Sequence, residues 1–240
     1  MTAGPDLALV APDLYRLRVP DGPAHALNCY LWVGPDGVAL FDTGWAHSAS
    51  LVERALRELG RSTADVGHVV LSHFHEDHAG AAAEISGWPN AIVVASALEA
   101  PAVRGDVPGP LPVLTPAETA IHEQPTEPPR AAACRVDLEV ADGDVLPIGG
   151  EARVLVVPGH TDGSLALHLP RLDAVLTGDT VAELDGTVIL GGFDVDRELT
   201  RQSLLRIADT GAAVAGVGHG EALLADAHAR IRDADDPFAR

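Results

Sequence analysis

Hydrophobic and polar positions change period several times along the 240 residues. Residues 14–19 alternate and predict an edge strand, followed by the turn Pro20-Asp21-Gly22-Pro23. Residues 29–33 and 38–41 predict two more strands, joined by the hairpin signal Gly34-Pro35-Asp36-Gly37. The period then lengthens. Over residues 48–59, Leu51, Val52, Ala55, Leu56 and Leu59 share one helical face, and Gly60 ends the pattern. The apolar run 66–72 predicts a strand, 79–85 a short helix and 91–95 a buried strand. Strands alternating with helices in this way describe a layered α/β protein.

The pattern breaks down over residues 101–129, which hold eight of the 18 prolines and a helical turn or two around 117–123. A loop of this length inside a compact domain is read as a lid or pocket wall, with a passive surface excursion as the alternative. Beyond it the arrangement repeats. Strands are expected at 135–140 and 152–157, with Asp142-Gly143-Asp144 as the turn between them, and at 164–169 and 174–177. A helix at 197–209, a strand at 213–217 and a helix at 221–232 complete the chain. Two halves that each mix strands and helices imply two sheets back to back with helices outside, in one domain covering 1–240.

Composition narrows the classes of function. Thirty-five acidic residues against 16 basic ones give a net charge of −19, which argues against nucleic acid and anionic membrane as partners. Every basic residue is arginine, so a lysine nucleophile or Schiff base is excluded. Cys29 and Cys134 form no framework and no CxxC pair, and are expected as buried reduced thiols. No apolar run approaches about 18 residues, and the short run 7–11 makes no signal peptide, so a cytoplasmic location is expected. A small molecule remains as the partner. Nothing in the sequence bears on oligomeric state.

The chemistry concentrates in one octet, His73-Phe74-His75-Glu76-Asp77-His78-Ala79-Gly80, directly after the run Val69-Val70-Leu71-Ser72. A strand that ends in such a turn presents several imidazoles and carboxylates to one point. These are the ligands shared by zinc, iron and manganese. Three further strand ends in the second half deliver His160, Asp179 and His219. The other six histidines, His25, His47, His68, His122, His168 and His228, have no such context. His25 and His47 are closest to loops expected at the site. Trp45, after the Asp42-Thr43-Gly44 turn, and Phe193, in Gly191-Gly192-Phe193-Asp194, are candidates for an apolar substrate pocket, with core packing as the alternative.

With Asp42-Thr43-Gly44, the octet, Gly159-His160-Thr161, Gly178-Asp179-Thr180 and Gly218-His219-Gly220 in this order, the sequence resembles the metallo-β-lactamase superfamily over residues 14–232. The resemblance implies a four-layer αβ/βα sandwich with its site along one edge between the sheets. It implies that His73, His75 and His160 hold one metal, that Asp77, His78 and His219 hold a second, and that Asp179 bridges both. Asp42 would support the orientation of the ligands. Seven ligands suit two zinc ions, with iron or manganese as alternatives, each ion keeping an open position. Metal-bound water has its pKa lowered toward about 7, so a bridging hydroxide is available at neutral pH. Asp77 is placed to handle a proton for the leaving group, and no protein nucleophile is required.

The superfamily spans several reactions, so fold alone does not decide between them. Glyoxalase II-like members usually carry an extra C-terminal helical domain, and only about twenty residues follow His219 here. Homoserine lactonases commonly use a tyrosine shortly after the bridging aspartate, where this chain has Val181, Ala182 and Glu183. The reading that follows is a dinuclear zinc hydrolase of a small ester, lactone or thioester. A mononuclear iron persulfide dioxygenase is the alternative, and β-lactam hydrolysis a further one, lowered by the absence of lysine and of an export signal.

Overall fold

The computed structural model describes residues 6–21, 25–122 and 131–239. Its first half contains β1 (Asp6–Ala11), β2 (Leu14–Asp21), β3 (His25–Gly34), β4 (Gly37–Phe41), α1 (Ala49–Glu58), β5 (Val66–Val70), α2 (Glu76–Ala79), α3 (Ala82–Ile85), β6 (Ile92–Ser96), α4 (Ala100–Val103), α5 (Pro116–His122) and β7 (Leu138–Val140). Its second half contains β8 (Val145–Leu146), β9 (Ala152–Val156), β10 (Leu165–Leu169), β11 (Ala174–Leu176), β12 (Val181–Leu184), β13 (Thr187–Leu190), α6 (Arg197–Ala208), β14 (Val214–Gly216) and α7 (Ala227–Arg232).

Strands β1 to β7 form one sheet in chain order, antiparallel up to β4 and parallel from β4 to β7. The change of sense follows from the connections. Few residues separate the first four strands, whereas each later connection carries a helix and returns the chain to the same end. The second sheet has the order β14-β11-β10-β9-β8, with β11 and β14 parallel, and β12 and β13 form a separate hairpin.

Period-2 alternation sorts each strand between two apolar layers. Leu27, Cys29 and Leu31 of β3, with Leu40 of β4 and Val93 of β6, pack against Val52, Ala55 and Leu56 of α1 and Ile85 of α3. Their neighbours Tyr30, Phe41, Val70 and Val94 face the other way, onto Val154, Leu165, Leu167 and Leu176 of the second sheet. Ala166, Val175 and Ala215, on the far face of that sheet, meet Leu204 and Ile207 of α6 and Ile231 of α7. Three apolar layers between four layers of backbone are the αβ/βα sandwich. Full burial of each Leu, Val or Phe contributes roughly 1.5–3 kcal/mol, so a one-residue slip in any central strand would be costly.

The differences from the sequence reading have local causes. β1 was not anticipated; it pairs with β2 and buries Val10 and Ala11. The helix expected at 79–85 is two single turns, starting at Glu76 and interrupted at Gly80. A Cβ on Gly80 would lie 2.2 Å from the Glu76 carbonyl oxygen and 2.6 Å from the Ala46 nitrogen, so only glycine lets these segments meet. β7 starts later than expected because the Asp137 carboxylate takes the Val93 N–H (2.8 Å) in place of a backbone carbonyl. Residues 221–226 are not helical: Leu223 exchanges two 2.8 Å backbone hydrogen bonds with Ala215, and Glu221 is drawn toward Arg16 and Arg18.

Within 101–129, the described part is docked rather than loose. Val113 N–H donates to the Asp194 carbonyl (2.8 Å), and a Cβ on Gly109 would sit 2.4 Å from the Phe74 ring. Residues 123–129, and residues 22 and 23 of the turn expected at 20–23, lie outside the described residues, while Pro20 and Asp21 end β2. Among the described residues, no helix is long and apolar enough to cross a membrane.

Candidate metal centre

Five strands end at one edge of the sandwich, and each is followed by a residue that sequence reading singled out. Asp42 follows β4, His73 and His75 follow β5, His160 follows β9, Asp179 follows β11 and His219 follows β14. Asp77 and His78 lie on the single turn of α2. A backbone hydrogen bond from Leu165 to Ser72 (2.9 Å) and another from Asn28 to Gly218 (2.8 Å) hold the two halves together at this edge.

The side chains fall into two clusters, His73, His75 and His160, and Asp77, His78, Asp179 and His219. In the first, His73 Nε2 lies 2.9 Å from His75 Nδ1, and His160 Nε2 lies 3.2 and 3.1 Å from these two nitrogens. In the second, Asp77 Oδ2 is 3.4 Å from His78 Nε2 and 3.3 Å from His219 Nε2. Asp179 faces both clusters. Its Oδ1 is 3.1 Å from His78 Nε2, and its Oδ2 is 3.3 Å from His219 Nε2 and 3.8 Å from His160 Nε2. Gly218 makes this possible, since a Cβ there would lie 2.0 Å from Asp179 Oδ1.

Buried acceptors orient the rings. His78 Nδ1–H donates to Asp42 Oδ2 (2.9 Å), while the backbone N–H and hydroxyl of Thr43 both donate to the His78 carbonyl (2.7 and 2.8 Å). Ser72 donates its N–H to Asp42 Oδ1 (2.7 Å) and its hydroxyl to Asp42 Oδ2 (2.8 Å). The Ser72 hydroxyl oxygen is therefore left to accept from His73 Nδ1–H (2.9 Å). One carboxylate thus fixes a ring in each cluster, with Nε2 lone pairs aimed inward. His160 Nδ1–H points at the Gly192 carbonyl (3.1 Å), with Asp194 Oδ1 at 3.5 Å.

The two clusters differ electrostatically. Burial, reinforced by neighbouring imidazoles, pushes His73 well below the ordinary histidine range and His75 down to about 3. Burial also lowers His78 and His219, but the carboxylates of Asp179 and Asp77 outweigh it and hold His78 well up and His219 at about 10. Burial raises Asp77 and Asp179, yet His78 and His219 draw both well below the usual carboxylate range. Burial lowers His160 as well, but the carboxylates of Asp194 and Asp179 outweigh it and raise it. His73 and His75 are thus the neutral nitrogens of the first cluster, and the second cluster is an ion-paired group.

This donor set fits two divalent cations. His78 Nε2 and Asp179 Oδ1 are buried, lack a hydrogen-bond partner among the described residues, and face each other. With the His78 proton given to Asp42, both are lone pairs, an arrangement that needs a proton or a cation between them. The 2.9–3.2 Å triangle of the first cluster is close to the spacing of about 3.3 Å between tetrahedral ligands at Zn–N distances of about 2.0–2.1 Å.

A pH effect follows. Without a bound cation, the folded pKa of His219 (about 10) lies above the ordinary 6.5. Its protonation then stabilises the fold fully below about pH 6.5, and that contribution is lost as pH rises through about 10. Side-chain exposure of 37% means that water screens part of it. A cation takes the proton's place. The gap in Tm between zinc-loaded and chelator-treated protein should therefore widen from about pH 6 to about pH 9. A gap that narrows over that range would contradict the arrangement.

The remaining expectations separate. Trp45, a candidate pocket wall, packs instead in the apolar layer against α1 and is 8% exposed. Phe193 is half-buried, with its ring 6.5 Å from that of Phe238. Cys29 and Cys134 are buried free thiols. His47, His68, His168 and His228 belong to neither cluster, and the side chains of His25 and His122 lie outside the described set. Sequence reading missed Ser72, Glu99, Glu118, Asp194 and Arg197. Arg197 reaches Glu118 (3.3 Å) and Asp194 (3.0 Å), a cation that makes the burial of both carboxylates tolerable. Glu118 in turn accepts from Phe193 N–H (2.7 Å), which docks α5 on the loop behind His160. The run Gly191-Gly192-Phe193-Asp194 was a visible signal for Asp194; for the others there was none.

Known proteins give a consistent answer. Hydroxyacylglutathione hydrolases from Cereibacter sphaeroides and Cupriavidus taiwanensis are 30% and 36% identical over 134 and 155 residues, 55% and 62% of this chain. The chain spans only 40% and 46% of the length of these relatives. An uncharacterised protein from Bacillus subtilis is 23% identical over 82% of this chain and 84% of its own. A crystal structure of a metallo-beta-lactamase family protein from Thermus thermophilus superposes with a TM-score of 0.70 at 30% identity, over 94% of this chain and 79% of that one. Residues 22–219 match the family model described as the metallo-beta-lactamase superfamily. The chain belongs to the metallo-beta-lactamase superfamily.

Proposed function

We propose that this protein is a zinc-dependent hydrolase that cleaves a small thioester, ester or lactone at a two-metal centre. The observation that carries the reading is the position of Asp179, whose two oxygens lie within 3.8 Å of imidazoles from both clusters. A single-iron enzyme would not require the four converging donors of the second cluster. The hydroxyacylglutathione hydrolases among its relatives favour a thioester as the first substrate class to try.

His73, His75 and His160 would hold one cation, Asp77, His78 and His219 the other, and Asp179 both. Bound there, zinc would supply Lewis acidity at a carbonyl and a hydroxide nucleophile at neutral pH. The protein's own part is orientation and proton handling. Asp42 keeps the inward nitrogens of His73 and His78 unprotonated: it accepts from His78 Nδ1–H directly, and by accepting the Ser72 hydroxyl proton it leaves the Ser72 oxygen to accept from His73 Nδ1–H. Asp77, 19% exposed, has access to solvent, so its carboxylate can take a proton and return it to the leaving group. Leu111, 85% exposed, stands on the segment between Gly109, which abuts Phe74, and Val113, which is bonded to Asp194. An apolar residue there favours a substrate with an apolar acyl or alkyl part.

Elemental analysis of purified protein, followed by assay of short acyl thioesters, aryl esters and lactones, tests the reading. About two zinc ions per chain are expected, with hydrolysis abolished by chelator and restored by zinc. One iron per chain, with oxygen consumption on a persulfide, would overturn it.

A further inference from the structure

Glu99 lies between β6 and α4, 2% exposed, and contributes no atom to either cluster. Its Oε2 accepts from the backbone N–H of Phe74 (3.0 Å), the residue between His73 and His75. Its Oε1 accepts from the Thr161 hydroxyl (2.7 Å) and the Gly163 N–H (2.9 Å), in the loop that begins at His160. Ser96 tightens the same junction, donating its hydroxyl to the Gly163 carbonyl (2.6 Å) and accepting from Glu99 N–H (3.2 Å).

The first cluster draws its nitrogens from two loops that are 85 residues apart in sequence, counted from His75 to His160. Their approach to 2.9–3.2 Å is a tertiary achievement that neither loop can make alone. A ligand constellation has to be held within about 0.5 Å to bind a metal well. Among the described residues outside the two clusters, Glu99 is the side chain that bonds to both loops, immediately behind the ligands.

We propose that Glu99 is a positioning residue that sets the spacing between the His73–His75 turn and His160, and thereby the affinity of the first metal position. Each of its two oxygens must accept, because Phe74 N and Gly163 N are obligatory donors. An amide of the same shape therefore fails: its NH2 group would oppose one of those N–H groups. The proposal rests on the assignment of these histidines as metal ligands and is independent of which bond is hydrolysed.

The test compares wild type, Glu99→Gln and Thr161→Val by zinc titration against a chromophoric chelator. Absorption spectra of the cobalt-loaded proteins and the Tm of the chelator-treated proteins accompany it. Glu99→Gln is expected to weaken the first metal position by about 10–100-fold and to shift its cobalt bands. The second position should stay within about threefold, and the Tm of the metal-free protein should change little by comparison. Thr161→Val, which removes one donor at nearly constant shape, should weaken the same position by about tenfold. If Glu99→Gln does not fold, Thr161→Val decides alone. Unchanged first-position affinity and spectra would overturn the proposal, as would parallel loss at both positions that tracks a fall in Tm. A wild type that takes up both cations but hydrolyses nothing would defeat the hydrolase reading and leave this one standing.

Discussion

Asp179→Asn is expected to lower kcat/KM by about a thousandfold or more, equivalent to about 4 kcal/mol of lost transition-state stabilisation. Among the described cluster residues, Asp179 is the one whose oxygens address both clusters, at 3.1 and 3.3 Å from the imidazoles of the second and 3.8 Å from His160. An amide keeps the shape and removes the charge, and its NH2 would point a donor at a nitrogen that must itself ligate. Both positions should weaken together, so added zinc should not restore the rate. Metal content and steady-state kinetics on the best substrate of the screen would check this. A variant that kept two metals per chain and more than about a tenth of the wild-type rate would refute the bridging role.

The contrast between ligands and their supports also explains what could be read from the sequence. The strands that carry the site were visible because alternation and apolar runs are local, and their ends coincide with Asp42, His73, His160, Asp179 and His219. Polar residues clustered directly after such runs have few other reasons to be there. The hairpin of β12 and β13 has a local signal too, Asp185-Gly186 between alternating segments. β1 alternates only weakly over six residues and depends on its pairing with β2.

Glu99 was not legible at all. Its partners are backbone N–H groups and a hydroxyl 25 to 64 residues away, and no local pattern encodes such a bond. Trp45 carried two readings, pocket wall and core packing, and the structure has the second. Proximity in sequence to Asp42 marked it as a pocket residue, but Asp42 lies in the left-handed region (φ 60°), and Trp45, three residues on, packs in the apolar layer against α1. A turn decides which side of the sheet edge the following residues reach, and the sequence names the turn without giving its direction.

Asp42→Asn is the second large effect, and it should look different from Asp179→Asn. The fold is expected to survive, because Asn tolerates the left-handed backbone that Asp42 adopts. The amide oxygen can keep the Ser72 N–H, which leaves the NH2 group facing His78 Nδ1 and the Ser72 hydroxyl. Two donors then oppose each other at His78, and the ring can relieve this only by carrying its proton on Nε2, where a ligand lone pair is needed. Ser72, having lost the acceptor for its own hydroxyl, can donate to His73 Nδ1 and drive the same tautomer change in the first cluster. One substitution outside the ligand set should thus weaken both metal positions by about 10–100-fold. Excess zinc should restore the rate, because every ligand is still present. Ser72→Ala should affect the first position alone. Chelator competition, with nitrogen-15 spectra of the histidine rings to read the tautomers, separates these outcomes. Affinities within about threefold of wild type, with both rings unchanged, would mean that Asp42 orients neither ring.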